Sequence, residues 1–498
     1  MLQHQDTKAP RARWQSWLFV ALLLAGAGLR LYHLGYRSLS TDEANVFWMA
    51  RGSVDEIILH NAAGNSAPPL YALALNPLAE AHASEAALRS LSCAAGIAAL
   101  AALYLLTSEY SGSAGALFAV FVAALAPSQV FYSQFLREYS LSVLCAALLL
   151  WAFTRFQRRP SWRSWAALTA IGVLAIAVQY GLALLVLALN VVFVLELRRT
   201  IERRPRVVWW TLAQAAMLGA AWVVYDQTLR HQLRPGGFGA SYLGSGYWDG
   251  SAASLMRLVV GNTVELFAFA YPATVLLEGL VVLGIVELWR SANGRRAVLL
   301  LVTPILVVIA TACLRLYPYL GARQSMMLTV MLYVCAASGF VRLRRVDWHG
   351  VGTALVIVWI GAEGVYGSYR TLMSTEPQHV RPIAEQLASE FRPGDRIYVY
   401  HRAVTPLLYY YPEESEHWIR GAYSPSDPAP HQRELAEALA QPGRVWVVFT
   451  MCEAGECETI RRSAAALRPI ERVASDTGTE LYRIDDPEQR NAAPRTAP

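Results

Sequence analysis

Charged residues are scarce in this sequence, and their scarcity excludes an ordinary soluble protein. Asp, Glu, Lys and Arg make up 16% of the 498 residues, against about 25% in an average soluble domain. Hydrophobic residues make up 55% and stand in blocks close to the length of about 20 residues that spans a bilayer. No small-residue cleavage site follows the first block, so we expect a retained membrane helix and not a removed signal peptide.

The hydrophobic blocks predict a mainly α-helical, polytopic membrane protein with about eleven spanning helices. The expected spans are 14–32, 88–107, 113–126, 139–156, 165–178, 181–197, 207–225, 262–289, 297–314, 326–340 and 351–369. The net charge of +6 does not indicate nucleic-acid binding, because the basic residues stand in short clusters between the blocks.

The basic clusters also predict the orientation of the protein in the membrane. One set of alternate connections carries Lys8, Arg11, Arg13, Arg155, Arg158, Arg159, Arg163, Arg198, Arg199, Arg203, Arg204, Arg206, Arg290, Arg295, Arg296, Arg342, Arg344 and Arg345. The opposite connections are longer but carry only Arg37, Arg51, Arg137, Arg230, Arg234, Arg257, Arg315 and Arg323. We therefore expect the richer set in the cytoplasm, with the N-terminus inside and the C-terminus outside.

Two long outer loops and a polar C-terminal region complete the expected domain organisation. The membrane domain covers residues 1–372 and contains outer loops at 33–87 and 227–261. In the first loop, 42–51 and 70–79 suit short helices in the membrane interface. The second loop is glycine-rich, and we expect it to be mobile. Its glycines lack the strand–turn–helix setting of a dinucleotide site.

The C-terminal region has the composition of a soluble domain. We expect a small α/β domain over residues 376–486 and a disordered tail over 487–498. The expected helices are 380–391, 432–440 and 458–467, and the expected strands are 396–400, 444–450 and two short ones after them. Cys452 and Cys457 lie in this region, where they could form a disulfide or remain two free thiols.

The segment Ser40-Thr41-Asp42-Glu43-Ala44-Asn45 follows the first span closely. Ser40 and Glu43 have the spacing of a capping box, and Asp42 would suit the positive end of the helix that the box begins. A carboxylate at this position could also act as a general base toward a hydroxyl group. The two roles are compatible, because the cap fixes the helix that presents Asp42.

With these residues the sequence resembles the GT-C glycosyltransferases that use polyprenyl-phosphate sugars. A long first outer loop opening with Asp-Glu is similar to that of the protein O-mannosyltransferase and aminoarabinose-transferase relatives, which are glycosyltransferase family 39-like. The similarity continues in Ala67-Pro68-Pro69-Leu70-Tyr71, Ser84-Glu85 with Arg89, Tyr132-Ser133-Gln134 with Arg137 and Tyr139, and Ala322-Arg323. It covers roughly residues 15–370, and a periplasmic α/β tail fits the bacterial members.

The resemblance implies transfer of a sugar, with inversion, from polyprenyl phosphate to an acceptor hydroxyl at the outer face of a bacterial cytoplasmic (inner) membrane. It gives Asp42 the role of base and Glu43 a supporting role. The expected partners are the donor lipid, membrane lipid and a glycan, lipid or protein acceptor.

Cations must stabilise the departing phosphate. The only lysine, Lys8, is expected on the cytoplasmic side of the membrane, opposite the proposed reaction. We therefore expect arginine to supply these cations. Arg137 and Arg323 are the first candidates and Arg89 and Arg257 the next, with Glu138 and Tyr139 beside Arg137. Each arginine could instead be an interfacial anchor or part of a surface ion pair.

The sequence departs from many relatives at positions that could contact a metal or the acceptor. Many relatives have histidine before the two prolines, where this chain has Ala67. They also have an acidic residue near the position of Asn65, and often a glutamate at the position of Phe135. Glu138 could compensate, or it could form a simple ion pair with Arg137. His60 is a lone histidine in a loop. We therefore expect no metal and no other cofactor.

Other interpretations stay open at this point. Tyr242, Tyr247 and Trp248 could stack on a sugar or isoprenoid, or belong to an interfacial aromatic belt. A flippase or transporter of lipid-linked glycans would need ionisable groups inside the spans and paired halves, and few such groups and no such halves are visible. A membrane scaffold whose tail binds partners would leave Asp42 dispensable. We predict a membrane glycosyltransferase, with the flippase or transporter as the alternative.

Overall fold

A computed structural model describes residues 13–197, 204–233, 243–290, 294–347, 349–424, 427–452 and 455–486. The predicted disordered tail and residues 234–242 of the glycine-rich loop lie outside this part of the chain. The chain forms two compact units. The first, here the helical unit, consists of Met1–Leu34, Arg51–Glu80 and Leu88–Met373, and the second, here the C-terminal unit, of Gly35–Ala50, Ala81–Ala87 and Ser374–Pro498.

The described residues up to 373 are mainly helical. Its helices are α1 Arg13–Leu31, α2 Thr41–Met49, α3 Val54–Gly64, α4 Leu70–Glu80, α5 Glu85–Leu125, α6 Pro127–Ser133, α7 Tyr139–Arg158, α8 Trp162–Val178, α9 Tyr180–Leu197, α10 Arg204–Val224, α11 Arg230–Gln232, α12 Ala252–Met256, α13 Asn262–Ala270, α14 Thr274–Arg290, α15 Gly294–Cys313, α16 Thr329–Val346 and α17 Val351–Met373. Short π-helical turns cover Tyr225–Leu229 and Arg257–Gly261, and 3-10 turns cover Gly244–Gly246 and Arg323–Leu328.

The membrane character expected from the sequence is confirmed. Nine of the described helices are long and apolar enough to cross a membrane, fewer than the eleven expected spans. Part of the difference lies in α5, which is counted once although the non-helical Gly112 at φ 65° divides its 41 residues into two helices, as the expected spans 88–107 and 113–126 predict. The expected span 165–178 lies in α8, which has only 17 residues.

The single span expected over 262–289 is wrong, because the structure interrupts it. Helix α13 ends at Ala270 and α14 begins at Thr274. Pro272 has no backbone N–H and cannot continue the helical ladder. The Tyr333 hydroxyl of α16 satisfies a carbonyl at the break, because it donates to Ala270 at 2.9 Å. The Tyr271 hydroxyl donates to the Ile360 carbonyl of α17 at 2.7 Å, so the break is held by two neighbouring helices.

Helices α14 and α16 run in parallel and pack with their backbones in close contact. A Cβ atom on Gly339 would lie 2.8 Å from the carbonyl carbon of Leu280 and 3.0 Å from the nitrogen of Gly284. One on Gly284 would lie 2.9 Å from the nitrogen of Gly339. Small residues at such crossings let membrane helices gain van der Waals contact that side chains would prevent.

Arg30, inside the first span, connects α1 to α5 through hydrogen bonds. The sequence analysis did not identify this residue. The Arg30 side chain is 1% exposed. Its guanidinium donates to the carbonyls of Ala123 at 3.1 Å and Ala124 at 3.2 Å, at the end of α5. A cation at this position also complements the negative C-terminal end of that helix.

After residue 373 the chain forms an α/β domain, as expected. Its elements are α18 Arg381–Glu390, β1 Arg396–Val399, α19 Val404–Tyr410, β2 Trp418–Arg420, α20 Ala429–Ala440, β3 Val445–Thr450, α21 Glu456–Leu467, β4 Ile470–Asp476 and β5 Thr479–Ile484. The sheet order is β2-β1-β3-β5-β4. Strands β1, β2 and β3 are parallel, and β5 pairs antiparallel with β3 and β4.

The centre of this sheet is buried on both faces. Along β3, Trp446 and Val448 pack on one side with Ile383, and Val447 and Phe449 on the other with Leu435. All six residues of β3 are buried. This burial explains its continuous apolar sequence, which is typical of a central strand.

Candidate active site

Arg137 lies buried in the short turn that joins α6 to α7. Its side chain is part of a compact polar group: Nε donates to Glu138 Oε2 at 3.1 Å and Nη2 to Asn65 Oδ1 at 3.3 Å. Arg137 is 6% exposed, Glu138 3% and Asn65 7%. The pair is therefore not the exposed Arg–Glu pair that the sequence also allowed. Because both charges are buried, the orientation of the guanidinium is fixed.

Two of the segments that carried the resemblance are connected at the backbone of this turn. The Ser92 hydroxyl donates to the Arg137 carbonyl at 2.8 Å and contacts the Tyr71 hydroxyl at 2.7 Å. The Gln134 amide donates to the Tyr32 carbonyl at 2.6 Å. The turn is thus held by α4, α5 and the end of the first span, which gives Arg137 a fixed backbone.

Tyr139 brings two of the predicted arginines together. The guanidinium carbon of Arg137 lies 5.5 Å from the centroid of the Tyr139 ring, and that of Arg323 lies 5.8 Å from it. Arg323 begins the 3-10 turn Arg323–Leu328. Two positions almost 190 residues apart in the sequence therefore contact one aromatic ring, in cation–π geometry.

Tyr317 is a residue of this site that the sequence analysis missed. Its hydroxyl donates to the carbonyl of Gln324, next to Arg323, at 2.9 Å. Burial raises the pKa of the Tyr317 phenol well above its usual value, and the nearby Tyr139 and Glu138 act in the same direction. The phenol therefore stays protonated and can donate hydrogen bonds. No local pattern in the sequence indicated it.

The two secondary arginines have different surroundings. Arg89 is 1% exposed and donates to the carbonyl of Leu34 at 3.1 Å, which fastens the chain after α1. Arg257 is exposed at the start of its π-helical turn; the pKa of Asp249 is lowered mainly by the backbone hydrogen bond from Ser251 and least by the charge of Arg257. Arg89 is therefore as buried as Arg137, whereas Arg257 is exposed.

Asp42 and Glu43 lie in the first turn of α2, which belongs to the C-terminal unit. The predicted capping box is present: Glu43 Oε2 accepts hydrogen bonds from the Ser40 backbone N–H at 3.0 Å and from its hydroxyl at 3.1 Å. Glu43 is 2% exposed, whereas Asp42 is half-buried. The capping role thus falls to Glu43.

Helix α2 is fastened to the domain formed by the end of the chain. The Thr41 hydroxyl donates to the Arg402 carbonyl at 2.7 Å, and the Trp48 indole to the Thr405 carbonyl at 3.0 Å. The expected interfacial helix at 42–51 is therefore a helix of the C-terminal unit. The sequence could not show this, because the contacting residues are more than 350 positions apart.

A second segment of the chain reproduces the Asp-Glu pattern. Ser53-Val54-Asp55-Glu56 begins α3 with the same capping box, in which Glu56 Oε2 accepts from the Ser53 N–H at 2.7 Å and hydroxyl at 2.8 Å. The backbone hydrogen bond from Ser53 is the main cause that lowers the pKa of Glu56. The capping pattern alone therefore does not distinguish Asp42 from Asp55.

The positions that depart from the relatives take structural roles. Asn65 accepts from Arg137, and Phe135 packs with Phe131 at a centroid distance of 5.4 Å. Within the described ranges, no group of three or more His, Cys, Asp or Glu side chains could hold a metal ion. In the second long loop, Trp248 donates its indole N–H to Ser251, while Tyr242 lies outside the described residues.

In the C-terminal unit, Cys452 and Cys457 form a disulfide with a Cα–Cα distance of 5.7 Å. It closes the loop between β3 and α21. Glu456 within this loop accepts a hydrogen bond from the Tyr400 hydroxyl at 2.8 Å.

Solved structures with this fold are membrane glycosyltransferases of the GT-C type. The crystal structure of ArnT from Cupriavidus metallidurans bound to undecaprenyl phosphate matches with a TM-score of 0.55 at 14% identity, over 95% of this chain and 98% of ArnT. The archaeal oligosaccharyltransferase AglB from Archaeoglobus fulgidus, in complex with an inhibitory peptide and a dolichol-phosphate, matches with a TM-score of 0.52 at 11% identity, over 94% and 74% of the two chains. The mycobacterial arabinofuranosyltransferase AftD matches with a TM-score of 0.50 at 14% identity, over 94% of this chain and 41% of AftD.

These similarities define the fold of the chain as the GT-C membrane fold. Residues 66–225 also match the family model for dolichyl-phosphate-mannose-protein mannosyltransferases. A comparison with curated proteins finds no match. The resemblance recognised in the sequence is thus confirmed, and the matched range contains Arg89, Arg137, Glu138 and Tyr139.

Proposed function

We propose that the protein transfers a sugar from a polyprenyl-phosphate donor to the hydroxyl group of an acceptor, at the outer face of a bacterial cytoplasmic membrane. The observation that carries this proposal is the placement of Arg137 and Arg323 against the same Tyr139 ring. A pair of guanidinium groups held in this way suits a phosphate, which each can contact through two N–H groups. Solved proteins of the same fold hold undecaprenyl phosphate and dolichol-phosphate.

In the proposed reaction, the acceptor oxygen attacks the anomeric carbon of the donor sugar. A new glycosidic C–O bond forms while the C–O bond to phosphate breaks, so the configuration inverts. Asp42 takes the proton of the acceptor hydroxyl, and polyprenyl phosphate leaves as an anion. Arg137 and Arg323 stabilise the charge that develops on the phosphate, and the hydrogen bond from the Tyr317 hydroxyl to the Gln324 carbonyl holds the backbone next to Arg323.

Glu43 has a positioning role in this proposal. Through the capping box it holds the backbone of Ser40 and so fixes the first turn of α2, which carries Asp42. Arg89 and Arg257 are secondary candidates for contacts to the donor. The proposal needs no metal, since Asp42 supplies the base and arginine the positive charge.

The test is transfer from radiolabelled polyprenyl-phosphate sugars by membranes that contain the full chain, with label followed into lipid, polymer and protein fractions. We expect wild type to transfer label and Asp42→Asn to lose about 10²- to 10⁴-fold, the usual contribution of a general base. Asp55→Asn is the matched control, because Asp55 precedes a capping-box Glu in the same position of α3. We expect it to retain the wild-type rate.

Two results would contradict the proposal. The first is transfer by Asp42→Asn at the rate of Asp55→Asn, which would reduce Asp42 to a residue that stabilises a helix end. The second is a wild type that transfers no label from any donor but moves the labelled lipid across the bilayer, which would indicate a flippase.

A further inference from the structure

A polar cavity lies at the opposite end of the helical unit from Arg137. Helix α7 begins directly after Glu138 and ends at Arg158, so its 20 residues span about 30 Å at 1.5 Å per residue. The cavity has a volume of about 180 Å³, and its lining includes Phe153, Gln157, Arg158, Val192, Glu196, Arg296 and Leu300. The proposed reaction does not use it.

A smaller space continues this cavity toward the start of α10. It shares Gln157, Glu196 and Arg296 with the larger cavity and adds Arg206. Arg206 lies in the first turn of α10 and Arg296 in the first turn of α15. Two guanidinium groups, each from the first turn of a helix, therefore line this space.

Two hydrogen-bond donors near this space lack an acceptor among the described residues. Arg158 is paired with Glu109, and Arg296 Nε lies 3.6 Å from Glu196 Oε1. Arg206 Nε and Gln157 Nε2, by contrast, are buried and have no hydrogen-bond acceptor within the part of the chain that the structure describes. Buried donors without an acceptor are unfavourable, so a ligand that brings acceptor oxygens would stabilise this arrangement.

We infer that this cavity binds a phosphate group, and that the phosphate belongs to an anionic phospholipid. Arginine and amide donors (Arg206, Arg296 and Gln157) suit phosphate oxygens. The position of the cavity, where several spanning helices end, corresponds to the head-group level of a membrane. Phe153, Val192 and Leu300 offer apolar walls for the first part of an acyl chain. Basic cavities between membrane helices bind anionic head groups by this chemistry.

The experiment compares lipid retention by the purified full chain using native mass spectrometry, after exchange into phosphatidylglycerol or phosphatidylcholine. We expect wild type to retain phosphatidylglycerol preferentially. In the double variant Arg206→Gln/Gln157→Leu, we expect retention of phosphatidylglycerol to fall about tenfold or more, because hydrogen bonds to the charged phosphate are lost. Arg206→Lys, which keeps the charge but not the planar donors, should lie between the two.

Arg163→Gln is the matched control. Arg163 is an exposed arginine at the start of α8 that contacts Trp162 and does not line the cavity. We expect it to retain the lipid as wild type does. An equal loss in this control would overturn the proposal in favour of general surface charge, as would unchanged retention in the double variant.

A second arm distinguishes a lipid phosphate from a free phosphate. Inorganic phosphate is titrated against the lipid-free protein while the unfolding midpoint is measured. Phosphate binding that is lost in the double variant, together with loss of phosphatidylglycerol retention, supports the proposed site. Phosphate binding without any preference for phosphatidylglycerol would refute the lipid assignment and indicate a soluble phosphorylated ligand. Circular dichroism of each variant separates loss of binding from loss of folding.

Discussion

The close packing of α14 on α16 gives a prediction that can be worked from the structure. The change is Gly339→Ala. The added Cβ would lie 2.8 Å from the carbonyl carbon of Leu280 and closer still to its oxygen. Because nonbonded carbon atoms are most stable about 3.5–4.0 Å apart, the two backbones must separate by about 1 Å. The obstacle is backbone, so no side-chain rotation can relieve the contact.

The expected magnitude combines two opposing effects. Overpacking costs about 1–3 kcal/mol, and more where backbone must move. Replacing glycine by alanine inside a helix stabilises it by about 1 kcal/mol. Gly279→Ala on α14 isolates the second effect, because Gly279 is exposed and a Cβ there meets nothing within 4 Å. We expect Gly279→Ala to be neutral or stabilising, and Gly339→Ala to be less stable than it by about 2–4 kcal/mol.

The assay is reversible unfolding of the purified protein in mixed micelles with increasing denaturing detergent, followed by circular dichroism. Gly284→Ala should behave like Gly339→Ala, since its Cβ would lie 2.7 Å from the carbonyl carbon of Cys335. Equal stability of Gly339→Ala and Gly279→Ala would refute the reasoning. It would mean that the two helices do not contact each other through backbone in the folded protein.

Three further predictions concern the candidate site and the C-terminal unit. Arg137→Lys and Arg323→Lys should each lower the rate of sugar transfer about 10- to 100-fold, because lysine lacks the planar donors that bind phosphate through two N–H groups. Transfer assays check this prediction, and Arg163→Lys is the control that we expect to transfer sugar at the wild-type rate. Asp395 Oδ2 accepts hydrogen bonds from Arg444 Nη2 at 2.6 Å and from Trp446 Nε1 at 2.9 Å. Asp395→Ala should therefore destabilise the C-terminal unit by about 3–5 kcal/mol, because it leaves the buried Arg444 without its carboxylate partner. Thermal unfolding compares it with Glu471→Ala, whose exposed pair with Arg483 should contribute under about 1 kcal/mol; equal effects would contradict this. Replacing both Cys452 and Cys457 by serine should cost about 2 kcal/mol, since the disulfide closes a short loop; the same thermal assay under reducing conditions should show no difference from wild type.

Local patterns predicted most of the elements. The capping box at Ser40 and Glu43 depends on residues three apart, and α18, β1 and β3 follow apolar periodicity within short segments, so the sequence contains their signals. Strand β2, by contrast, was missed because it has only three residues, Trp418–Arg420, too few to show alternation. The interruption at Pro272 was missed because the surrounding residues form one apolar run.

Contacts between distant segments could not be predicted. Arg137 and Arg323 were chosen separately, and only the fold shows that both contact Tyr139. Tyr317 carries no local signal, since tyrosine is common near a membrane interface. The assignment of Asp42 to a membrane loop followed chain order, whereas the hydrogen bonds of Thr41 and Trp48 place its helix with the C-terminal unit.

The attachment of α2 to residues beyond 400 has a consequence for how the protein can be dissected. A truncation after Met373 would delete Arg402 and Thr405, the partners of Thr41 and Trp48, and with them the scaffold of the segment that carries Asp42. Loss of activity in such a truncation would therefore say nothing about acceptor recognition by the tail. The exposed face of the α/β domain has to be altered by point substitutions that leave those partners in place.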